Sequence, residues 1–400
     1  MRPLVRVLLF AWILLLAAGC GGSAAPAGAP AVPEATAAAG DAQEAQPAEA
    51  ATAPAEAEAP AEAAVEAPTA EPTAEPVPTD TAVPPSPTPA PVGLSRANPA
   101  PAGEMVSGLN WDFQVLETLR GDDAWAALQT ANQFNEPAPE GKEYLLTRVK
   151  VASTHEDSEP HLIGGYDFWV TGDGQQLVGV AGAVTPEPAL QGELFAGGET
   201  EGWIAYLIPQ GEGNLILMLD ESLTFEASPY RFVALDEGAA VTAAADLAAI
   251  EANDLGLDRS SLAPLGETVV TEDWEVTILE SISGDEAWTR LQEANQFNEP
   301  AAEEQEYALV RVAVRYIGGS EEPTTVDNSF IKATGDANVV YDYASAVAPE
   351  PKLSARLFPG GRAEGWVVVT FGAGETGRML IFEPFLDMSG ANTRYLAVGP

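Results

Sequence analysis

The chain has 400 residues with 60 acidic against 18 basic side chains, a net charge of −42, and a single cysteine. That balance argues against nucleic-acid binding, which needs clustered Lys and Arg to neutralise phosphates. One cysteine also excludes an internal disulfide, so any folded part must be held by the apolar surface it buries.

The N-terminus reads as a secretory signal: Arg2 and Arg6 precede an apolar run, Val7 to Leu16, followed by small residues up to Cys20. An apolar run of about 14 residues at most falls short of the ~20 that span a bilayer as a permanent helix. The segment Leu16-Ala17-Ala18-Gly19-Cys20 resembles a bacterial lipobox, with Ala17 where Leu is commonest. That resemblance implies cleavage after residue 19 and acylation of Cys20, and a free thiol would be a leftover in an exported protein. An ordinary signal peptide with an incidental cysteine is the plainer alternative. Residues 20–103 are almost entirely Ala, Pro, Glu, Thr and Gly. Such a segment cannot offset the entropy of ordering and is expected to be a disordered spacer.

Residues Glu104 to Asp236 align without a gap on Glu267 to Gly399, with roughly 50 identities in about 130 positions. This predicts two copies of one domain, 104–236 and 267–400, joined by an Ala-rich linker at 237–266 in which Val241 to Ala252 is mildly amphipathic and expected to form a short helix. Within each copy, period-two alternation predicts strands. In the first copy they begin near Trp111, Leu145, Trp203, Leu215 and Arg231. In the second, Trp274, Val276, Ile278 and Ile282 share one side of a strand interrupted at Glu280, and Ala308 to Tyr316 alternate through a longer one. Trp366 to Phe371, Met379 to Phe382 and Arg394 to Val398 follow. One helix breaks the pattern. Asp122 is expected to cap it, Ala124, Trp125, Leu128 and Ala131 share a face, and Pro137 prevents continuation; Asp285, Ala287, Trp288, Leu291 and Ala294 repeat this. The fold class is therefore all-β: two tandem immunoglobulin-like antiparallel β-sandwiches, each with one short helix.

This arrangement resembles the telokin-like, immunoglobulin-like domains of unknown function that recur in bacterial surface lipoproteins. The resemblance rests on the opening Trp strand (Trp111, Trp274) and on the entry to the central strand, Gly141 to Tyr144, with Glu304 to Tyr307 lacking the Gly. It rests also on a late Pro359-Gly360 and Gly365-Trp366 lead, where the first copy has Ala196 for the proline. It implies a fold and a surface location, and no reaction.

No nucleophile elbow, phosphate-binding loop, dinucleotide fingerprint or His-Glu-x-x-His occurs in the sequence, and the chain is read as a non-enzyme without a cofactor. His155 and His161 have a spacing that fits no common zinc motif and read as solvated loop residues. Ala131-Asn132-Gln133-Phe134-Asn135-Glu136-Pro137 recurs unchanged at Ala294 to Pro300. It reads either as a helix C-terminus with Phe134 packed inward or as an oxygen-rich calcium site. The three tryptophan pairs Trp111/Trp274, Trp125/Trp288 and Trp203/Trp366 read as core. Trp169 stands where the second copy has Lys332, so Tyr166, Phe168 and Trp169 form a candidate contact patch unless a shifted register buries them. The function expected is a non-catalytic protein, lipid-anchored to the bacterial membrane through Cys20, displaying its domains outward or into the periplasm to bind a protein or glycan. A calcium-dependent or carbohydrate-binding adhesin is the alternative.

Overall fold

The computed structural model describes residues 92–224, 228–341, 344–385 and 387–399. All of them belong to one compact unit.

In the first half, strands β1 (Val106–Ser107) and β2 (Trp111–Arg120) lead into helix α1 (Asp122–Ala131), and β3 (Lys142–Ser153), β4 (His161–Gly164), β5 (Phe168–Thr171) and β6 (Gln176–Leu177) follow. β7 (Gln191–Leu194), β8 (Glu199–Pro209), β9 (Ile216–Asp220) and β10 (Tyr230–Ala234) complete it. The second half runs β11 (Thr268–Val270), β12 (Trp274–Ser283), α2 (Asp285–Ala294), β13 (Gln305–Tyr316), β14 (Thr324–Asp327), β15 (Ile331–Thr334), β16 (Ser354–Leu357), β17 (Arg362–Gly372), β18 (Met379–Phe382) and β19 (Arg394–Ala397). The chain is thus all-β with two short helices. Most elements recur 163 positions on, as Trp111 of β2 does at Trp274 of β12.

Each half pairs a four-stranded antiparallel sheet (β1-β2-β3-β8; β11-β12-β13-β17) with a three-stranded one (β10-β9-β5; β15-β18-β19). Alternation along the strands builds the core between them: Trp111, Phe113 and Val115 are buried on β2, and Val310, Val312, Val314 and Tyr316 on β13. The interruption foreseen at Glu280 is a register shift against β13 between Ile278 and Glu280, and β2 carries the same shift between Val115 and Glu117.

The helix covers the outer face of the larger sheet. Ala124 and Leu128 pack on Tyr144, Leu146 and Ala205, and Ala287 and Leu291 on Ile282, Leu309 and Val368. The strands of that sheet are therefore buried on both faces, which is why Tyr144-Leu145-Leu146-Thr147 is continuously buried instead of alternating. Capping differs from expectation. Gly121 (φ 59°) and Gly284 (φ 66°) hold the N-cap positions, and Asp122 and Asp285 are the first helical residues. A positive φ there favours glycine, and the two aspartates act instead on the positive end of the helix dipole.

Residues 92–103, counted with the spacer on composition, carry structure. Ala100 is buried, donates its N–H to the Phe232 carbonyl (2.9 Å) and accepts from Ala234 (2.8 Å). Its counterpart Ala263, counted with the linker, bonds Tyr395 and Ala397 in the same way. Between the halves, the helix expected over Val241 to Ala252 is reduced to a single 3-10 turn, Leu247–Ala249, while Ala239 and Val241 are buried against the first half.

The halves are joined by a β-pairing. β16 carries β14 on one edge and β6 of the first half on the other, with Arg356 opposite Leu177 and Leu357 opposite Gln176. Phe358 continues this edge. It is wholly buried, with the Arg96 guanidinium 3.7 Å above its ring and its N–H donating to the Gln175 carbonyl at 2.9 Å. Arg356 lies 4.7 Å from the centre of the Trp169 ring and donates to Asp220 at 2.8 Å.

Candidate interaction surface

The repeated Asn-Gln-Phe-Asn run forms a rigid loop where each helix ends. Asn132 stops α1 in extended backbone, its N–H still donating to Leu128 (2.9 Å) while its Oδ1 accepts from the Phe134 N–H (3.1 Å). Asn135 then turns inward. Its Nδ2 donates to the carbonyls of Leu128 and Val184, both at 2.8 Å, and its Oδ1 accepts the Val184 N–H at 2.9 Å. The Tyr144 hydroxyl donates to the Glu136 carbonyl at 3.0 Å. The second half repeats the set: Asn298 bonds Leu291 (2.7 Å) and Val347 (3.0 and 2.8 Å), and Tyr307 bonds Glu299 (3.2 Å).

Since asparagine occupies the inward position, the phenylalanine has none. Phe134 is 80 % exposed and Phe297 81 %, and the valines that Asn135 and Asn298 bond, Val184 and Val347, are exposed as well. The inward packing expected for Phe134 is corrected: the ring stands in solvent on a loop pinned by its neighbour. Of the donors the calcium reading would use, both side-chain atoms of Asn135 are spent on backbone groups. Among the described residues no group of three or more His, Cys, Asp or Glu converges to hold a metal ion.

Beside α2 lies an open cleft of about 440 Å³ whose walls include Arg290, Glu293, Lys352 and Trp366. Arg290 donates to Glu286 at 3.0 Å and sits 5.9 Å from the Trp366 ring. The corresponding residues of the first half are Ala127 and Ala189, so this basic pair belongs to the second half alone. The helix tryptophans are rim residues, not fully buried anchors: Trp125 stacks on Tyr144 at 6.0 Å and Trp288 on Tyr307 at 6.1 Å, each partly buried.

The proposed patch of Tyr166, Phe168 and Trp169 is dispersed. Phe168 is in the core, edge-on to Phe113 at 5.5 Å; Trp169 is covered by Arg356 from the second half; Tyr166 is exposed. Strand β5 begins at Phe168 and alternation sends its neighbour to the opposite face. The histidines are not separate solvated residues. His155 and His161 stack at 3.6 Å, His155 meets the Trp111 edge at 4.8 Å, and His161 Nε2 lies 2.9 Å from Asp157. Burial and the neighbouring His161 hold the His155 pKa below its ordinary value, with Asp157 opposing. Cys20 lies outside the described residues, as do the signal segment and most of the spacer. No helix among the described residues is long and apolar enough to cross a membrane.

No family model and no curated protein matches the chain. Among solved structures, the yjhA protein of Bacillus subtilis is 16 % identical over 34 % of this chain and 99 % of its own, with a TM-score of 0.25. The ycdA protein of the same organism, described as a "putative lipoprotein", is 14 % identical over 32 % of this chain and 37 % of its own, with a TM-score of 0.24. GK1651 of Geobacillus kaustophilus covers 69 % of this chain and 90 % of its own at 12 % identity and a TM-score of 0.08. Similarity at this level carries no functional argument.

Proposed function

We propose that this chain is a non-catalytic surface protein, anchored through lipid on Cys20, whose two tandem immunoglobulin-like domains present the Asn-Gln-Phe-Asn loops to a protein partner. The observation that carries this reading is the pair of exposed rings, Phe134 and Phe297, held on identical hydrogen-bonded loops. A large apolar side chain on a rigid loop loses little conformational freedom on binding, and aromatic anchors of this kind dominate protein interfaces. The anchoring part rests on the sequence Ala17-Ala18-Gly19-Cys20 and the lack of another cysteine.

Two measurements on whole cells test the parts separately. Cys20→Ser is expected to move the protein from the membrane fraction to the medium or periplasm; unchanged retention refutes the anchor. The Phe134→Ala, Phe297→Ala chain is expected to keep its thermal stability and lose adhesion of the expressing cells to protein-coated surfaces. Full adhesion by that variant, against a strain lacking the protein, refutes the loops as the contact.

A further inference from the structure

The contact that joins the two halves uses one surface of the first half and a different surface of the second, so each half retains, unused, the surface its counterpart employs. On the first half the used surface comprises Arg96, the turn at Gln175 and strand β6; on the second it is the edge of β16 with Phe358. Both unused surfaces are present. The counterpart of β16 is β7, which among the described residues pairs only with β4, and the counterpart of Phe358 is Phe195, 59 % exposed where Phe358 is wholly buried. The counterpart of Arg96 is Arg259, exposed instead of stacked on a ring. The counterpart of β6 is Val339-Val340, an exposed apolar pair with no strand partner among the described residues.

The backbone of that unpaired segment is already set. Gln175 enters β6 from a turn at φ 59°, and Asn338 enters Val339-Val340 from one at φ 58°. The bridge that follows β6, Val178 to Val170, recurs as Tyr341 to Ala333. Charge differs in part: Arg356, which faces Trp169 and Asp220, becomes Glu193, and Trp169 becomes Lys332, while Asp220 stays acidic as Glu383, to which Lys332 donates at 2.9 Å. A glutamate on the accepting edge would therefore meet a lysine already paired with a glutamate, and the contact rests on the backbone edge and on Phe195.

We propose that copies of this chain associate head to tail: the Val339-Val340 segment of one copy pairs with β7 of the next, and Phe195 of the next copy sits beneath Arg259 of the first. The contact reproduces between chains the one formed within the chain. It is heterologous, so copies join in closed rings or open arrays according to the rotation that relates the halves. An exposed strand edge is a template for such pairing. The covalent link supplies a high effective concentration to the internal contact, on the order of millimolar, so the contact between free copies is weak in dilute solution and grows where copies are crowded. The chain's charge of −42 opposes it, and salt relieves that repulsion. None of this depends on Cys20 carrying lipid.

The test traps the contact in the full chain with Cys20→Ser as background. Glu193→Cys and Val340→Cys correspond to Arg356 and Leu177, which face each other in the internal pairing, and both sites are exposed, so folding is preserved. Two opposed strand positions fall within reach of a disulfide. Mixing the two single variants under mild oxidation at physiological salt is expected to give a disulfide-linked dimer about tenfold faster than either variant alone. Adding Phe195→Glu to the Glu193→Cys chain, or Arg259→Glu to the Val340→Cys chain, is expected to remove that advantage. A chain bearing both thiols is expected to give a ladder of linked oligomers. A mixed rate equal to the single rates overturns the proposal, as does a rate untouched by Phe195→Glu. Faster coupling of either variant with itself would show a symmetric contact and overturns it equally.

Discussion

Replacing Asn298 by alanine separates the role of the loop from that of its ring. The amide makes three hydrogen bonds, donating to Leu291 at 2.7 Å and Val347 at 3.0 Å and accepting from Val347 at 2.8 Å, in a partly exposed setting. Each such bond contributes roughly 0.5–1.5 kcal/mol net. Water can replace part of the set at an exposed site, which brings the expected loss for Asn298→Ala to about 2 kcal/mol. Phe297→Ala should change stability by less than about 0.5 kcal/mol, because the ring is 81 % exposed. Had the ring been core, the loss would be about 3–5 kcal/mol. The assay is urea unfolding of the full chain followed by tryptophan fluorescence, with the Asn135→Ala and Phe134→Ala pair as the internal repeat. A Phe297→Ala loss above about 1.5 kcal/mol, or a neutral Asn298→Ala, would refute the reasoning.

Three further outcomes are expected. Because His155 titrates below its ordinary value when folded, the unfolded chain takes up its proton first; stability of the first half should fall as pH drops from about 7.5 through the ordinary histidine range and level off below the folded value, and His155→Gln should flatten that dependence in urea titrations at several pH values. Asp157, held below the ordinary carboxylate range chiefly by its bond to His161, acts in the same sense but in a separate, more acidic window, where its contribution is lost as pH falls. Phe358→Ala should uncouple the halves, splitting one thermal transition into two in calorimetry, since it empties the site beneath Arg96 and against Phe232.

Much of the β architecture was legible because its signal is local. Period-two alternation in Trp274-Glu275-Val276-Thr277-Ile278 marks a strand with one buried side, and the register shift at Glu280 showed as a break in that period. The helices were equally legible from Ala124 and Leu128 on one face and Pro137 beyond the end. What sequence could not supply was the identity of the covering layer. Whether Trp125 is anchor or rim depends on how α1 tilts over Tyr144, and whether Phe134 or Asn135 turns inward depends on the carbonyl of Val184, 49 residues away. The boundary at residue 103 was misread for the same reason: Ala100 is part of the core only because Phe232 and Ala234 offer it a hydrogen-bonding edge. The histidine pair was missed because stacking brings together residues on either side of a polar loop, with no spacing signature of its own.

The differences between the two halves carry as much information as their identities. Positions that keep the same residue, such as Trp111 and Trp274 or Asn135 and Asn298, serve contacts that both halves make within themselves. Positions that diverge in charge or size, Trp169 against Lys332 and Arg356 against Glu193, lie where the halves meet or where the equivalent surface is left open. The halves here dock through two different faces, and each face is then under different demands in the two halves. Trp169 tolerates burial because Arg356 covers it; at the same place in the second half, with nothing described above it, Lys332 reaches Glu383 at 2.9 Å and keeps the surface soluble. Phe195 does not follow that logic. It remains a phenylalanine, exposed, where a polar residue would be cheaper in water, and its neighbour Leu194 matches Leu357 of the buried edge. A surface that keeps its apolar contact residue fits the proposed pairing of β7 between copies.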